Sequence, residues 1–284
     1  MVAIFSESRD FIRKALAEDI GHGDITSTLI IGNEKADAVF IAKEKFTLAG
    51  MPFVKEVFGI IDDQVRICVN AKEGALVNKG DILANIDGSA QSLLACERVA
   101  LNILQHLSGI ATAASEFIDR VKGLPVRIVD TRKTTPCMRA MEKYAVMIGG
   151  AFNHRFGLYD GILIKDNHIE TAGGIEQAVS RAKNGHHLLK IEVEVKNLNQ
   201  VRQALESGVD VIMLDNMNVD EMKKAVDTIR SYDKKILIEA SGNVSLENIR
   251  AIAQSGVDII SVGAITHSAR AVDISMKIRS DQKI

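Results

Sequence analysis

The stretch LKIEVEVKNLNQVRQALESGVDVIMLDN, residues 189–216, sets a β-type run, a helical run and a second β-type run in succession. LKIEVE (189–194) and DVIML (210–214) are short and rich in Ile and Val, and residues 197–207 between them repeat their apolar side chains at helical spacing. Such strands fit a parallel sheet buried on both faces, and the helix is the crossover that parallel pairing requires. The same alternation extends outward. VRIVD (126–130), VMIGGA (146–151) and GILIK (161–165) precede it as strands, and ILIEA (236–240) and DIISV (258–262) follow. Helical spacing recurs over 173–184, 218–230 and 245–255. About seven such repeats suit either an open doubly wound sheet or a closed barrel. Two features favour the barrel. Polar side chains gather where strands end: Asp130 with Arg132, Lys165, Glu194, Asp215, Glu239 with Ser241, and Gly263. The last two strands also run into small-residue turns, Ser241-Gly242-Asn243 and Gly263-Ala264, whose backbone N–H groups could cradle a phosphate.

The chain before Pro125 reads differently. Residues 6–19 form an amphipathic helix with Phe11, Ile12, Ala15 and Leu16 on one face. Residues 36–48 are β-like, 51–61 return to helical spacing, and 65–69 with EGALVNKGDILANIDG (73–88) supply short strands broken by glycines. A long helix over 92–117 carries an interruption near Ser108-Gly109. This organisation predicts a first domain over 1–109, a second over 110–269, and residues 270–284 free to pack back on the first.

Composition narrows the class. A 284-residue chain that is 46% hydrophobic and 25% charged has the profile of a globular protein able to bury a sizeable core. A net charge of −2 argues against nucleic-acid or anionic-membrane partners. Three cysteines with no C-x-x-C spacing argue against a disulfide framework or structural zinc and point to a reducing, cytoplasmic setting. No apolar run approaches the roughly 20 residues that span a bilayer, and the N-terminus lacks the pattern of a secretory signal.

Charge is nonetheless uneven. The segment DTRKTTPCMRAMEKYAVMIGGAFNHRFGLYDGILIKDNH (130–168) holds six Lys or Arg and two His against four carboxylates. Such a run is often only a solvated face. Delivered from strand ends and glycine turns, it would instead suit a small, multiply anionic ligand. Arg132 and Arg155 can each grip a planar carboxylate with two parallel hydrogen bonds, which lysine cannot. Glu194 and Asp215, facing a phosphate site, would suit a Mg²⁺ held partly by substrate phosphates, or would simply pair with Arg or Lys across the barrel mouth. Among the histidines, His154, His168 and His267 lie near these elements. No Walker sequence, no G-x-G-x-x-G and no H-E-x-x-H is present, which disfavours nucleotide hydrolysis, dinucleotide binding and zinc proteolysis.

Several blocks carry a family resemblance. DTRKTTP, EKYAV, NHR and IKDNH in the cationic segment, EDIGHGDITS (18–27), LNILQHLSGIAT (101–112), IEVEV (191–195), IMLDNM (212–217), EASGN (239–243) and SVGAITHS (261–268) resemble quinolinate phosphoribosyltransferases, in order over almost the whole chain. The resemblance implies an α/β protein with an N-terminal α/β sandwich (hammerhead-like) domain and a partly open, seven-stranded α/β barrel. It implies transfer of phosphoribosyl from 5-phosphoribosyl 1-pyrophosphate to quinolinate with decarboxylation, giving nicotinate mononucleotide, pyrophosphate and CO₂. By the same resemblance Arg132, His154, Arg155 and Lys165 bind quinolinate, with Arg98 supplied by the partner subunit of a homodimer or higher oligomer that shares its sites, and Thr131 is a further substrate-binding residue. Lys133, Glu194 and Asp215 serve the sugar pyrophosphate and Mg²⁺, with Lys133, Lys165, Glu194 and Asp215 as the catalytic set. Ser241, Gly242, Asn243, Val262, Gly263, Ala264 and His267 hold phosphate. Cys137, Met147 and Ala151 depart from the expected pattern, and a methyl at Ala151 could alter how closely Asn153-His154-Arg155 approaches substrate. The competing readings are a paralogue such as the ModD protein associated with molybdate transport, a Schiff-base aldolase or decarboxylase using Lys165, and a non-catalytic metabolite-binding protein.

Overall fold

A computed structural model of the chain describes residues 2–279, with side chains from residue 7 onward. The chain forms two units, each assembled from separate spans. The first comprises the described parts of Met1–Ser115, Thr134–Gly150 and Ser268–Ile284; the second comprises Glu116–Lys133 and Ala151–His267.

In the first unit an antiparallel sheet runs in the order Ile274–Arg279, Lys35–Ala42, Ile82–Ser89, Arg66–Val69. The apolar run of Lys35–Ala42 puts Ala38, Val39, Phe40 and Ala42 in the core, beside Leu83 and Ile86 of the neighbouring strand. The helix Met51–Ile61 begins with Pro52 in its first turn, where a missing N–H leaves no hydrogen bond unmade, and buries Phe53, Val54, Val57 and Phe58. Residues 280–284 of the C-terminal segment lie outside the described residues.

The expected interruption at Ser108-Gly109 does not occur: Ala90–Arg120 is one continuous helix. Gly109 is there for proximity rather than for a break. A Cβ at Gly109 would collide with the Arg270 carbonyl oxygen, because the Arg270-Ala271 backbone crosses the helix at that point. Ser108 is fully buried, and its hydroxyl lies 3.1 Å from both the N–H and the carbonyl of Ala49.

The second unit is a parallel sheet of six strands in the spatial order Arg127–Val129, Ile259–Ser261, Leu237–Ser241, Val211–Asp215, Ile191–Val195, Ile162–Ile164. First strand beside last, with the others in sequence, is the connectivity of a barrel rather than of a doubly wound sheet. A seventh strand position survives only as a single parallel bridge between Val129 and Phe152. No ladder joins Phe152 to Ile162–Ile164 among the described residues, so the barrel is open there. VMIGGA (146–151) is accordingly not a strand. Its first half ends the helix Arg139–Ile148, which buries Met141 and Ala145, four residues apart, and Glu142 and Val146 likewise. A six-residue apolar run cannot distinguish a buried helix end from a strand by periodicity, and here the helix won.

Side-chain caps fix where the crossover helices begin. The Asn197 side chain accepts from the N–H groups of Asn199 and Gln200 ahead of Leu198–Glu206. Asn218 and Glu221 form a reciprocal capping box ahead of Val219–Tyr232. Both asparagines follow closely on strand ends, so the chain leaves each strand through a short polar turn. Those turns form one rim.

Candidate active site

Along that rim opens a cleft of about 670 Å³, within the usual range for small-molecule sites. Thr131, Arg132 and Lys133 enter it after the first strand, His154 and Arg155 after the Phe152 bridge, and Lys165 after Ile162–Ile164. Glu194, Asp215, Ser241, Gly242, Asn243, Gly263, Ala264 and His267 complete the side given by the later strands.

Cations line one side. Arg155 donates from Nη1 to the Gly161 carbonyl at 2.9 Å, while its buried Nε–H has no hydrogen-bond partner. Burial and then the neighbouring charge of Arg132 hold the Arg155 guanidinium below its ordinary value. Two crowded guanidiniums and an orphaned buried donor form a site that an anion would relieve. The Lys165 ammonium donates to Glu194 Oε2 at 2.7 Å, so of the two roles open to Glu194, ion pairing is the one the geometry displays.

The phosphate side is built from backbone. Gly242 has φ +92°, and a Cβ there would collide with the Asn216 side chain. Asn216 and Asn243 are themselves left-handed, with φ 54° and 47°. The Asn243 side chain donates to Asn216 Oδ1 at 3.0 Å, and Asn216 Nδ2 donates to Asp215 Oδ2 at 3.0 Å. These bonds offset the strain and lock the two turns together. At Gly263 a Cβ would meet Lys133 Cδ at 3.1 Å and the His267 ring at 3.2 Å, so the bare glycine lets both side chains lie over the backbone. The Thr266 hydroxyl donates to the Lys133 carbonyl at 2.8 Å, tying the first and last strand ends together.

A buried acidic pair lies beneath the cations. His154 Nε2 is 3.3 Å from Glu192 Oε2 and 3.4 Å from Glu239 Oε2, and both glutamates are buried. Burial opposes a charge on the imidazole, but hydrogen bonding and attraction from the two carboxylates outweigh it and carry His154 up to about 10. Burial raises the Glu192 carboxyl as well. The Arg155 N–H donates to His154 Nδ1 at 2.8 Å, which requires a lone pair on that atom. The ring then carries its one proton on Nε2, and the further proton that the cluster retains above neutral pH is held by the carboxylates facing it. Behind them, buried Asp130 accepts from the His154 N–H at 2.8 Å.

Residues 24–108 match the family model for the quinolinate phosphoribosyl transferase N-terminal domain, and residues 110–277 match that for its C-terminal domain. The chain belongs to the quinolinate phosphoribosyltransferase family. It is 44% identical to a Bacillus subtilis protein named "Probable nicotinate-nucleotide pyrophosphorylase (carboxylating)", over 92% of this chain and 90% of that one. It is 38% identical to the nicotinate-nucleotide pyrophosphorylase (carboxylating) of Mycobacterium leprae, over 96% and 98%. The solved nicotinate-nucleotide pyrophosphorylase of Francisella tularensis superposes with a TM-score of 0.92 at 39% identity, covering 96% of each chain.

Within this phosphoribosyltransferase, two expected site residues lie away from the cleft. Val262 is buried, and its N–H donates to the Val129 carbonyl at 2.9 Å, leaving nothing to offer a phosphate. Arg98 is exposed on Ala90–Arg120 in the first unit and does not line the cleft. The cationic segment also divides. Arg132, Lys133, Arg155 and Lys165 reach the cleft, whereas Arg139 and buried Lys143 belong to the helix Arg139–Ile148. His168 caps Asp166–Ala172, its Nδ1 accepting from the Lys165 N–H. Of the departures from the family pattern, Cys137 adopts φ 65° in an exposed turn, a conformation glycine would enter more easily, and Ala151 is buried. Glu192 and Asn216 went unrecognised in the sequence. The period-two placement of Glu192 and Glu194 on one strand face was the available signal, and Asn216 had none beyond adjacency to Asp215.

Proposed function

We propose that the cationic side of this cleft binds quinolinate and its glycine-turn side binds 5-phosphoribosyl 1-pyrophosphate. The reaction is that of the family. The pyridine nitrogen attacks C1 of the sugar, pyrophosphate departs with the bonding pair, and the 2-carboxylate leaves as CO₂. The electrons of that carbon–carbon bond stay at C2, stabilised by the adjacent cationic ring nitrogen, and a proton taken up from water at that carbon completes nicotinate mononucleotide. The observation that carries the assignment is the Arg132–Arg155 pair. Like charges crowd there at the end of a barrel strand, with a buried Arg155 donor left for a ligand.

Arg132, Arg155 and Lys165 neutralise the two carboxylates so that the diacid can leave water, and Thr131 and His154 border the same subsite. Lys133, Ser241, Gly242, Asn243, Gly263, Ala264 and His267 hold the pyrophosphate and sugar phosphate. Glu194 and Asp215 lie where positive charge develops at C1 as pyrophosphate leaves, an arrangement that lowers the barrier electrostatically. The same two carboxylates suit a Mg²⁺ ion bound largely through substrate phosphates and water. Among the described residues the Asp215 carboxylate has only the neutral Asn216 amide as a hydrogen-bond partner, and the two carboxylates offer only oxygen ligands. Such an ion, when bound, neutralises the leaving pyrophosphate. No general base is required, since the ring nitrogen is already a nucleophile.

Arg98, absent from this chain's own cleft, fits a homodimer in which each subunit completes the other's site. Three free cysteines and no helix, among the described residues, long and apolar enough to cross a membrane support placement in the cytoplasm. The Schiff-base alternative requires Lys165 as a neutral amine, and its ion pair with Glu194 speaks against that role. Following CO₂ release from labelled quinolinate tests the whole reading. Release is expected only when phosphoribosyl pyrophosphate is present; release without it, or a borohydride-trapped adduct on Lys165, would overturn the reading.

A further inference from the structure

We propose that Glu192 and Glu239 are positioning residues of the diacid subsite, acting through the His154 ring that both carboxylates face. The inference deepens the reading of the cleft given above and rests on it. Glu192 lies on Ile191–Val195 and Glu239 on Leu237–Ser241, with Val211–Asp215 between the two strands. Strand register sets Glu194, Met213 and Glu239 on one row of the barrel, with Glu192 beside Val211 one row deeper. Each acid turns Oε2 toward His154 Nε2, and each leaves a buried Oε1 without a hydrogen-bond partner.

Packing offers no reason for this. Aliphatic side chains would fill the same rows without desolvating two carboxyl groups, and an orphaned oxygen makes each acid dearer still. Electrostatics and orientation do supply a reason. The Glu192 charge favours the guanidinium of Arg155, which Arg132 disfavours. The His154 residue is held at three points: its N–H on Asp130, its Nδ1 by the Arg155 N–H, and its Nε2 against the two acids. A ring so held cannot swing away from the Arg155 it adjoins, and the subsite keeps its shape before substrate arrives. The three groups also lie within 4.8 Å of one another and could surround a metal ion. A metal would need the Nε2 lone pair. Because Nδ1 already accepts a hydrogen bond, the ring proton resides on Nε2, and the geometry favours that proton over a metal.

The full-length Glu239→Gln variant, the His154→Ala variant and the double variant form the test. For Glu239→Gln, the KM for quinolinate is expected to rise about tenfold, as for loss of one charge-assisted contact, with the KM for phosphoribosyl pyrophosphate changed less than about twofold. The double variant should be no worse than His154→Ala alone, since an acid that works through the ring has nothing left to position. Additive losses would overturn the proposal, as would equal losses for both substrates. So would stoichiometric zinc in the purified protein whose chelation abolishes quinolinate binding. Should Glu239→Gln fail to fold, Glu192→Gln runs the same cycle; failure of both would assign the pair to stability and refute the positioning role. Imidazole nitrogen resonances of His154 need no substrate: the wild type should show a protonated Nε2 and a bare Nδ1, and Glu239→Gln should lose that signature. A wild type that shows the tautomer but does not turn quinolinate over would sink the substrate assignment rather than the anchoring of His154.

Discussion

Arg132 stands close enough to Arg155 to disfavour its charge, and a bound diacid would relieve that strain. Arg132→Ala should weaken quinolinate binding by about 1.5–3 kcal/mol, the range for hydrogen bonds to charged groups, and leave phosphoribosyl pyrophosphate binding intact. Calorimetric titration with each substrate separates the two effects; a loss under about threefold in quinolinate affinity would contradict the assignment. His154 makes a second prediction at this scale. The cluster it forms with Glu192 and Glu239 holds a proton well above the ordinary imidazole value, so the stability that proton contributes is complete below pH 6.5 and is lost as pH rises through about 10. Thermal melts of wild type and His154→Ala should therefore differ most below neutral pH and converge above pH 10. A gap that widened with alkalinity would mean the ring is buried as a neutral base with no acidic partners.

The turns that follow the strands do their work through backbone shape. Gly242 combines a left-handed φ with a backbone that no Cβ can accompany, since Asn216 occupies the space. A Gly242→Ala substitution must move Asn216, whose amide also bonds Asp215 and Asn243. We expect a stability loss of about 1–3 kcal/mol from strain and a raised KM for phosphoribosyl pyrophosphate, with quinolinate binding little changed. Denaturant unfolding and substrate-resolved kinetics check both; an alanine variant with wild-type kinetics would show that this turn does not hold phosphate. Element by element, the strands from 189 onward were legible because parallel strands buried on both faces are written as apolar runs. VMIGGA was misleading for the same reason, as a helix end buried on one side has the same composition. The continuity of Ala90–Arg120 through Gly109 was beyond local reading, because the group that requires a glycine there, the Arg270 carbonyl, is remote in sequence.

At the scale of the whole molecule, the proposed site would draw one residue, Arg98, which does not line this chain's own cleft, from a second subunit. If two subunits complete each other's sites, mixing the inactive Arg98→Ala and Lys165→Ala proteins should restore activity. Random exchange would make half of the dimers mixed, each with one intact site of two, giving about a quarter of wild-type activity. Refolding the mixture and assaying turnover is the measurement, and a mixture no more active than its components would confine the site to one subunit. What the sequence determined unaided was the periodic alternation of strand and helix, the gathering of Arg132, Lys165, Glu194 and Asp215 at strand ends, and the small-residue turns. Those features are local, since burial on both faces, strand termination and positive φ each leave their mark within a few residues. Only the tertiary structure decided that the barrel stays open beside Phe152, that Val262 turns its N–H to Val129, and that Glu192 and Glu239 meet at His154. Each of those depends on which distant groups arrive at the same place, and a linear pattern of side chains does not carry that distance.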